Sequence, residues 1–318
     1  MDETIIHARL MCSGGCWKNE FIFEATMKRI RTNITFIIKK SFQWTAAVFA
    51  FIGFIGTFAP LNHLINENIE LWKRLLISTV ILGIIWFVAF GVAAIITAVK
   101  RKYKVFEVNN HCVYIQYGDL LSRDEIKKEA QRRNIVIPAN RCFDTLVDDD
   151  LISSNTLHGK AINYLTNKGY SQQQIDSLIQ DSLKRQGLKY EILDIKDKRS
   201  GKLNRYPVGS VAELSESKEC SFFFLGLTAF DDKLTATVTD EDYVLAIVRL
   251  LNFCNQRSQQ YPVLMPLIGG GLSRTGKSER DILEFLIKLI ELNKDLIQFD
   301  LHIVIRETGR DTIPIADI

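Results

Sequence analysis

The chain has 318 residues, 47% of them hydrophobic, with a formal net charge of +3. So small a charge does not imply nucleic-acid binding, and no basic stretch is interleaved with aromatics as a base-stacking surface requires, so no nucleic-acid partner is expected. The six cysteines, Cys12, Cys16, Cys112, Cys142, Cys220 and Cys254, are scattered, and a chain of this size buries its core without a disulfide framework. Cys12 and Cys16 are the one close pair; with only His7 nearby they fall short of the roughly four ligands of a structural zinc site, so free thiols and no metal are expected.

Residues 1–40 read as a cytoplasmic N-terminal segment. Asp2 and Glu3 stand where a secretory signal would carry basic residues. Phe21, Ile22, Phe23, Ala25, Met27 and Ile30, with basic neighbours, fit a short amphipathic helix on a membrane surface. Two runs then carry no charged side chain, Ser41 to Leu61 and Leu75 to Val99. A bilayer core needs roughly 20 apolar helical residues, so both runs are expected to span it. Lys28, Arg29, Arg31, Lys39 and Lys40 precede the first run, and Lys100, Arg101, Lys102 and Lys104 follow the second. In the connecting loop Lys73 and Arg74 stand against Glu67 and Glu70. The positive-inside rule therefore predicts a multi-pass inner-membrane protein with both termini cytoplasmic. Trp44 and Trp72 suit interfacial anchoring, and Trp86 lies deep enough to pack.

The first run carries a small-residue stripe, Ala46, Ala50, Gly53 and Thr57, and Ala89, Ala93 and Thr97 repeat the spacing in the second. Small residues on one face let membrane helices approach closely. The rule serves equally for two helices of one chain and for helices of separate copies, and both readings stand. Neither run holds an ionisable residue, which argues against a standing ion pathway.

Residues 100–318 alternate strand and helix patterns. KVFEVNNH and CVYIQYG predict two strands joined by an Asn-Asn turn, and SRDEIKKEAQRR a helix capped by Ser122. NIVIPAN is a short apolar strand; GKAINYLTNKG and SQQQIDSLIQDSLKRQG are helical, the second capped by Ser171. SFFFLGLTAF and PVLMPLI are dense buried strands, DEDYVLAIVRLLNFCNQRS and SERDILEFLIKLIELNK amphipathic helices, and LHIVIRE a last strand. The pattern predicts a three-layer α/β/α domain on a mixed sheet covered on both faces. In such sheets ligands bind beyond the carboxyl ends of the strands. Three loops fall there: one with Asp119 and Leu120, one with Asn140, and the run Gly269, Gly270, Gly271, Leu272, Ser273, Arg274, Thr275 and Gly276. Consecutive glycines let backbone amides form a concave nest for phosphate oxygens, and Arg274 adds charge.

The order Gly118-Asp119, IVIPAN, Gly159-Lys160-Ala161-Ile162, SFFFLGLTAF and LMPLIGGGLSRTG resembles a macro domain. The resemblance implies that Asp119 holds an adenine amino group, that Asn140 lies near the distal ribose, and that the late Gly-rich loop wraps a diphosphate. Before Gly159 this chain departs from the family: Asp148-Asp149-Asp150-Leu151-Ile152-Ser153-Ser154-Asn155-Thr156-Leu157-His158 replaces a run of glycines. That departure implies a modified ligand end, for which His158 is the candidate. Two spans followed by a divergent macro domain, with VIPANRCFDT and SSNTLHGKAI, resemble the membrane effectors of type II Thoeris antiphage systems. That resemblance implies an effector without turnover and without a cofactor. Its activating ligand would be an ADP-ribose-containing signal of the histidine–ADP-ribose type, made by a TIR-domain enzyme. Its partners would otherwise be membrane lipid and further copies of itself, and its outcome membrane disruption and abortive infection. The competing reading is a membrane-tethered ADP-ribosyl hydrolase that uses Asn140 with Asp144 or Asp148 as its acid; a passive anchor is a third.

Overall fold

A computed structural model describes residues 24–58, 70–122, 132–269 and 278–318. Cys12, Cys16, Phe21 to Phe23, the helix expected after Ser122, and Gly270 to Gly276 lie outside the described residues. The chain forms two compact units, one holding the chain up to Lys100 together with Arg310–Ile318, the other Arg101–Gly309.

In the first unit residues 24–32 are helical, and α1 (Ile34–Phe58) and α2 (Leu71–Val99) follow. Both helices begin before the uncharged runs do, taking in Lys39 and Lys40, and Lys73 and Arg74. Lys and Arg are good helix formers whose stems lie along apolar surface while the charge reaches water, so the end of an apolar run does not end a helix. Both helices are long and apolar enough to cross a membrane. Their outward surface is the opposite of a soluble core helix: Phe49 is 63% exposed, Phe58 77% and Ile95 66%.

The two helices pack through Ile37, Ser41 and Thr45 on α1 and Ala93, Ala94, Thr97 and Ala98 on α2, all buried. The Ser41 and Thr45 hydroxyls each donate to a carbonyl one turn back, Ile38 and Ser41, at 2.8 Å, so the face carries no unmet donor there. Trp86 packs among Phe42, Phe87 and Phe90, as its depth implied. Of the two small-residue stripes, Ala93 and Thr97 serve this packing. Ala46, Ala50, Gly53 and Thr57 do not: all are exposed, and a Cβ on Gly53 would meet nothing within 4 Å. Packing within the chain therefore accounts for the second stripe and leaves the first unexplained.

The C-terminal residues, which the strand–helix pattern leaves with the soluble domain, fold back here. The Arg310 guanidinium donates to the carbonyls of Ala98 and Val99, and Arg29 pairs with Asp311 at 3.2 Å. Ile313 and Ile315 are buried.

The second unit is a mixed sheet with helices on both faces, the expected α/β class. β1 (Lys102–Val108) and β2 (His111–Gly118) form a hairpin, followed by β3 (Arg133–Asn140). Asn109 and Asn110 turn it with φ of 51° and 63°, the left-handed conformation that a two-residue hairpin loop demands and asparagine tolerates. Next come α3 (Leu157–Asn167), α4 (Gln172–Arg185), and the small strands β4 (Glu191–Ile192) and β5 (Asn204–Arg205). β6 (Val211–Ser215), β7 (Cys220–Phe230), β8 (Ala236–Thr237) and α5 (Asp240–Arg257) follow, then β9 (Val263–Pro266), α6 (Glu279–Leu292) and β10 (Leu301–Arg306). Ser171 and Ser278 cap α4 and α6 as their sequences imply, Ser171 in a full capping box with Gln174.

The main sheet runs β1-β2-β10-β9-β3-β7-β6, with β8 on the end of β7. β2, β10, β9, β3 and β7 are parallel; β1, β6 and β8 are antiparallel additions. Alternation along the strands sorts the two faces. Ile135, Ile137, Phe222 and Phe224 pack with Ala161, Leu165 and Ile179 of α3 and α4, while Phe223 turns to Phe253 of α5. The four described cysteines of this unit are free.

Candidate functional site

The parallel strands all point their carboxyl ends to one edge, and a cleft of about 1160 Å³ opens there. A wall of paired strands makes that edge continuous: Arg306 at the end of β10 stands opposite Gly118 at the end of β2. Of the nominated residues, Asp119, Leu120, Asn140, His158 and Gly269 all line the cleft. Gly269 sits at φ 95°, open to glycine and strained for any other residue.

Asp119 caps the turn that leaves β2. Its Oδ1 accepts from the Leu121 amide at 3.1 Å, and the side chain is exposed while Leu120 beside it is buried in the core. Asn140 is 4% exposed, and its Oδ1 accepts from the Cys142 and Asp144 amides at 3.0 and 3.4 Å. The turn after β3 thus uses the carbonyl of Asn140, and its Nδ2 is the group with protons to offer a ligand.

The acidic loop before α3 is held by its own carboxylates. Asp148 Oδ1 accepts from the Asp150 and Leu151 amides, and Asp149 Oδ1 from the amide and hydroxyl of Ser154. These bonds hold both carboxyls below the usual range. Thr156 then caps α3 by accepting from the Gly159 amide at 3.0 Å. Leu151 and Ile152 are buried with Leu234, against Phe230, which gives one cleft wall an apolar surface.

His158, in the first turn of α3, is 8% exposed. Burial, helped by the charge on Lys202, pushes its pKa down to about 4, so it presents a neutral imidazole near pH 7. Gly159, part of the motif order that carries the macro-domain resemblance and a nominated ligand-binding residue, does not line the cleft. A Cβ there would run into the backbone carbonyl of Ser153, so this glycine exists to let the helix pack on the loop before it.

Sequence reasoning missed one wall altogether. Lys160, Asn163, Tyr164 and Asn167 lie three and four apart on α3 and form a single polar face on the cleft. Their spacing was readable in the sequence, but polar residues on a helix face are ordinarily a solvated side. An ion pair between Arg306 and Glu279, 2.8 Å, adds a charged rim. The two acids that the hydrolase reading needs are elsewhere. Asp144 and Asp148 do not line the cleft, and Asp144 is 1% exposed in an ion pair with Lys198 at 2.7 Å. Among the described residues no cluster of His, Cys, Asp and Glu is arranged to hold a metal.

A family model described as the macro domain of Thoeris protein ThsA matches residues 113–306. The chain belongs to the ThsA macro-domain family. The match takes in every strand of the cleft, the acidic loop and the Gly269–Gly276 run. Thoeris protein ThsA of Bacillus amyloliquefaciens (strain Y2) is 28% identical over 282 residues, 86% of this chain and 80% of that protein. An alignment of that length is longer than the second unit and reaches into the helical one. Among solved structures, the Oceanobacillus iheyensis macrodomain with MES bound is 14% identical, covering 66% of this chain and 90% of that chain with a TM-score of 0.36. The same macrodomain with ADP is 12% identical at the same coverages and TM-score. Within the matched residues the cleft holds a neutral histidine, an amide donor, a glycine turn and a loop pinned by its own aspartates.

Proposed function

We propose that this protein is a membrane-anchored effector of Thoeris antiphage defence, activated by an ADP-ribose-containing signal nucleotide of the histidine–ADP-ribose type that a TIR-domain enzyme makes. The observation that carries this is one chain joining a ThsA-family macro domain, with its cleft beyond the parallel strands, to a helical hairpin whose outer surface is apolar. The basic flanks support an orientation with both termini in the cytoplasm, the hairpin being assigned to the inner membrane. Asp119 takes the adenine amino group, the Asn140 amide reaches the distal ribose, and the Gly269–Gly276 run wraps the diphosphate. His158 meets the far end of the ligand as a neutral group that accepts or donates a hydrogen bond without adding charge.

The protein acts by binding, without turnover. The engagement of Asp144 with Lys198, and the use of the Asp148 carboxylate to hold the Asp150 and Leu151 amides, support this over the hydrolase reading. Ligand binding drives copies together through the outward stripe of Ala46, Ala50, Gly53 and Thr57, and the assembly disrupts the membrane and ends the infection abortively. A ligand shifts such an equilibrium only by its differential affinity for the two states; a shift from about 1% to 99% active needs roughly 5.5 kcal/mol, which several bound subunits supply together.

The test is leakage of dye from liposomes holding the full chain, with calorimetry in parallel. Addition of the conjugate, or of ADP-ribose at higher concentration, is expected to bind and to release dye. Binding without release leaves a passive sensor, and hydrolysis of ADP-ribosylated protein by the native chain would favour the enzyme.

A further inference from the structure

Within the helical unit, the helix that leads into the first apolar run sorts its cations by side. The Asn33 amide bonds to the Arg29 carbonyl at 3.1 Å and the Ile37 amide to the Asn33 carbonyl at 3.0 Å, so residues 24–32 and α1 continue in one helical register. Arg29, Asn33, Ile37 and Ser41 stand four apart on the inner side. Asn33, Ile37 and Ser41 are buried there, and Arg29 pairs with Asp311 at 3.2 Å. Lys40 lies over the Trp44 ring, 6.0 Å from its centre. Lys28, Arg31 and Lys39 are placed differently. All three are exposed, and with Thr35 and Phe42 they recur at spacings of three and four along the opposite side of the helix. Among the described residues no ion pair or hydrogen bond engages their side chains.

Membrane orientation is set by how many basic residues a flank carries, whichever side of the helix they occupy. Like charges three or four residues apart repel, so gathering unpaired cations on one side is unfavourable unless an anion meets them. Lys39 stands two residues before the uncharged run, and Arg31 eight residues further out, about 12 Å along the axis. Both have stems long enough to lie along the helix and bring their charges to a headgroup layer. Phe42 and Phe49, 59% and 63% exposed, carry the same side on into the run as apolar surface. We propose that this side of the helix is a docking surface for an anionic phospholipid. The lipid phosphate takes the Arg31 fork and the Lys39 ammonium, its acyl chains lie on Phe42 and Phe49, and Lys28 adds attraction from within a Debye length of the surface. The surface belongs to one unit. It rests on the proposed reading that α1 crosses a membrane, and on nothing about the cleft or its ligand.

The measurement is native mass spectrometry of the full chain in detergent, with phosphatidylglycerol and phosphatidylcholine offered together. Both carry a phosphodiester, and only the first is a net anion. The native chain is expected to retain phosphatidylglycerol in preference. Arg31→Gln and Lys39→Gln are each expected to lower that preference about fivefold, and the two together about thirtyfold, one near-surface charge at each step. Lys28→Gln is expected to lower it less, and Arg31→Lys, which keeps the charge and loses the fork, to keep most of it. Lys218→Gln with Lys233→Gln removes the same charge from exposed positions of the second unit and is expected to keep the native preference. Glycerol 3-phosphate in excess, the same anionic chemistry without acyl chains, is expected to displace no lipid; displacement would make the site one for free phosphate and overturn the lipid. An unchanged preference with Arg31 and Lys39 both replaced, or an equal loss in the second-unit variant, overturns the docking surface. A chain that stays in solution without detergent and retains neither lipid overturns the membrane reading from which the surface starts.

Discussion

Replacing Lys198 by Met removes the paired cation from a carboxylate that is almost wholly buried. Lys198 and Asp144 have side chains 0% and 1% exposed, 2.7 Å apart. Asp144 Oδ1 also accepts from the Lys202 amide at 2.6 Å, and Lys198 Nζ donates to the Lys202 carbonyl at 2.7 Å. Gly201, at φ 84°, completes the wrap, since a Cβ there would press on both charged groups. In Lys198→Met the carboxylate keeps one hydrogen bond and loses its cation. Breaking one side of a buried pair costs about 3–5 kcal/mol. For a domain of this size each kcal/mol moves the melting temperature by roughly 2–4 °C, so a fall of about 6–20 °C is expected. Scanning calorimetry of the full chain in detergent reads it. Asp144→Asn should fall comparably, because it strands the ammonium. Asp144→Leu combined with Lys198→Met should recover much of the loss, as apolar pairs replace buried ion pairs at little cost. The hydrolase reading expects something else of Asp144→Asn, a folded protein that has lost turnover. A Lys198→Met protein melting within about 2 °C of native would refute the argument.

Gly159→Ala should destabilise the second unit by about 1–3 kcal/mol, because the added methyl meets backbone; it should also weaken ligand binding by shifting the acidic loop against the helix turn that carries His158. Calorimetry checks both, and an unperturbed melt would mean the contact relaxes freely. His158 gives a pH signature. Its folded pKa of about 4 lies below the ordinary 6.5, so the unfolded chain takes the proton more readily. Its contribution is therefore full above pH 6.5 and lost as pH falls toward 4, up to about 3 kcal/mol. His158→Gln should flatten melting temperature against pH in that window, incompletely, since His302, pushed down to about 3, acts in the same direction. Asp119→Ala should weaken ADP-ribose binding roughly 10–150-fold, about 1.5–3 kcal/mol for a charge-assisted hydrogen bond; full affinity would remove Asp119 from the site. Gly53→Leu should leave binding intact and abolish dye release, and full release would place assembly in the soluble domain alone.

The period and chemistry of local segments carried most of the fold. Uncharged runs marked the two long helices, alternating apolar strands and amphipathic helices marked the α/β layers, and Ser171, Ser278 and the Asn109-Asn110 turn declared themselves, because caps and turns depend on neighbours a few residues away. Asp119 and Asn140 were legible for the same reason: each ends a strand, and strand ends are where a parallel sheet binds. Long-range packing was not legible. Glycine is chosen both where a backbone meets phosphate and where it meets another backbone, so only the Ser153 carbonyl shows that Gly159 serves packing. The polar face of α3 reads as solvated until β3 and the acidic loop close around it. Asp144 looks like a loop acid until Lys198, far along the chain, is found against it. The two small-residue stripes share one spacing, and only the packed hairpin assigns Ala93 and Thr97 to contact within the chain while leaving Ala46, Ala50, Gly53 and Thr57 exposed with nearly all of residues 46–58. Residues 310–318 hold no pattern of their own; their place is set by the carbonyls of Ala98 and Val99 and by Arg29, partners more than two hundred residues away, and only the folded chain brings them together.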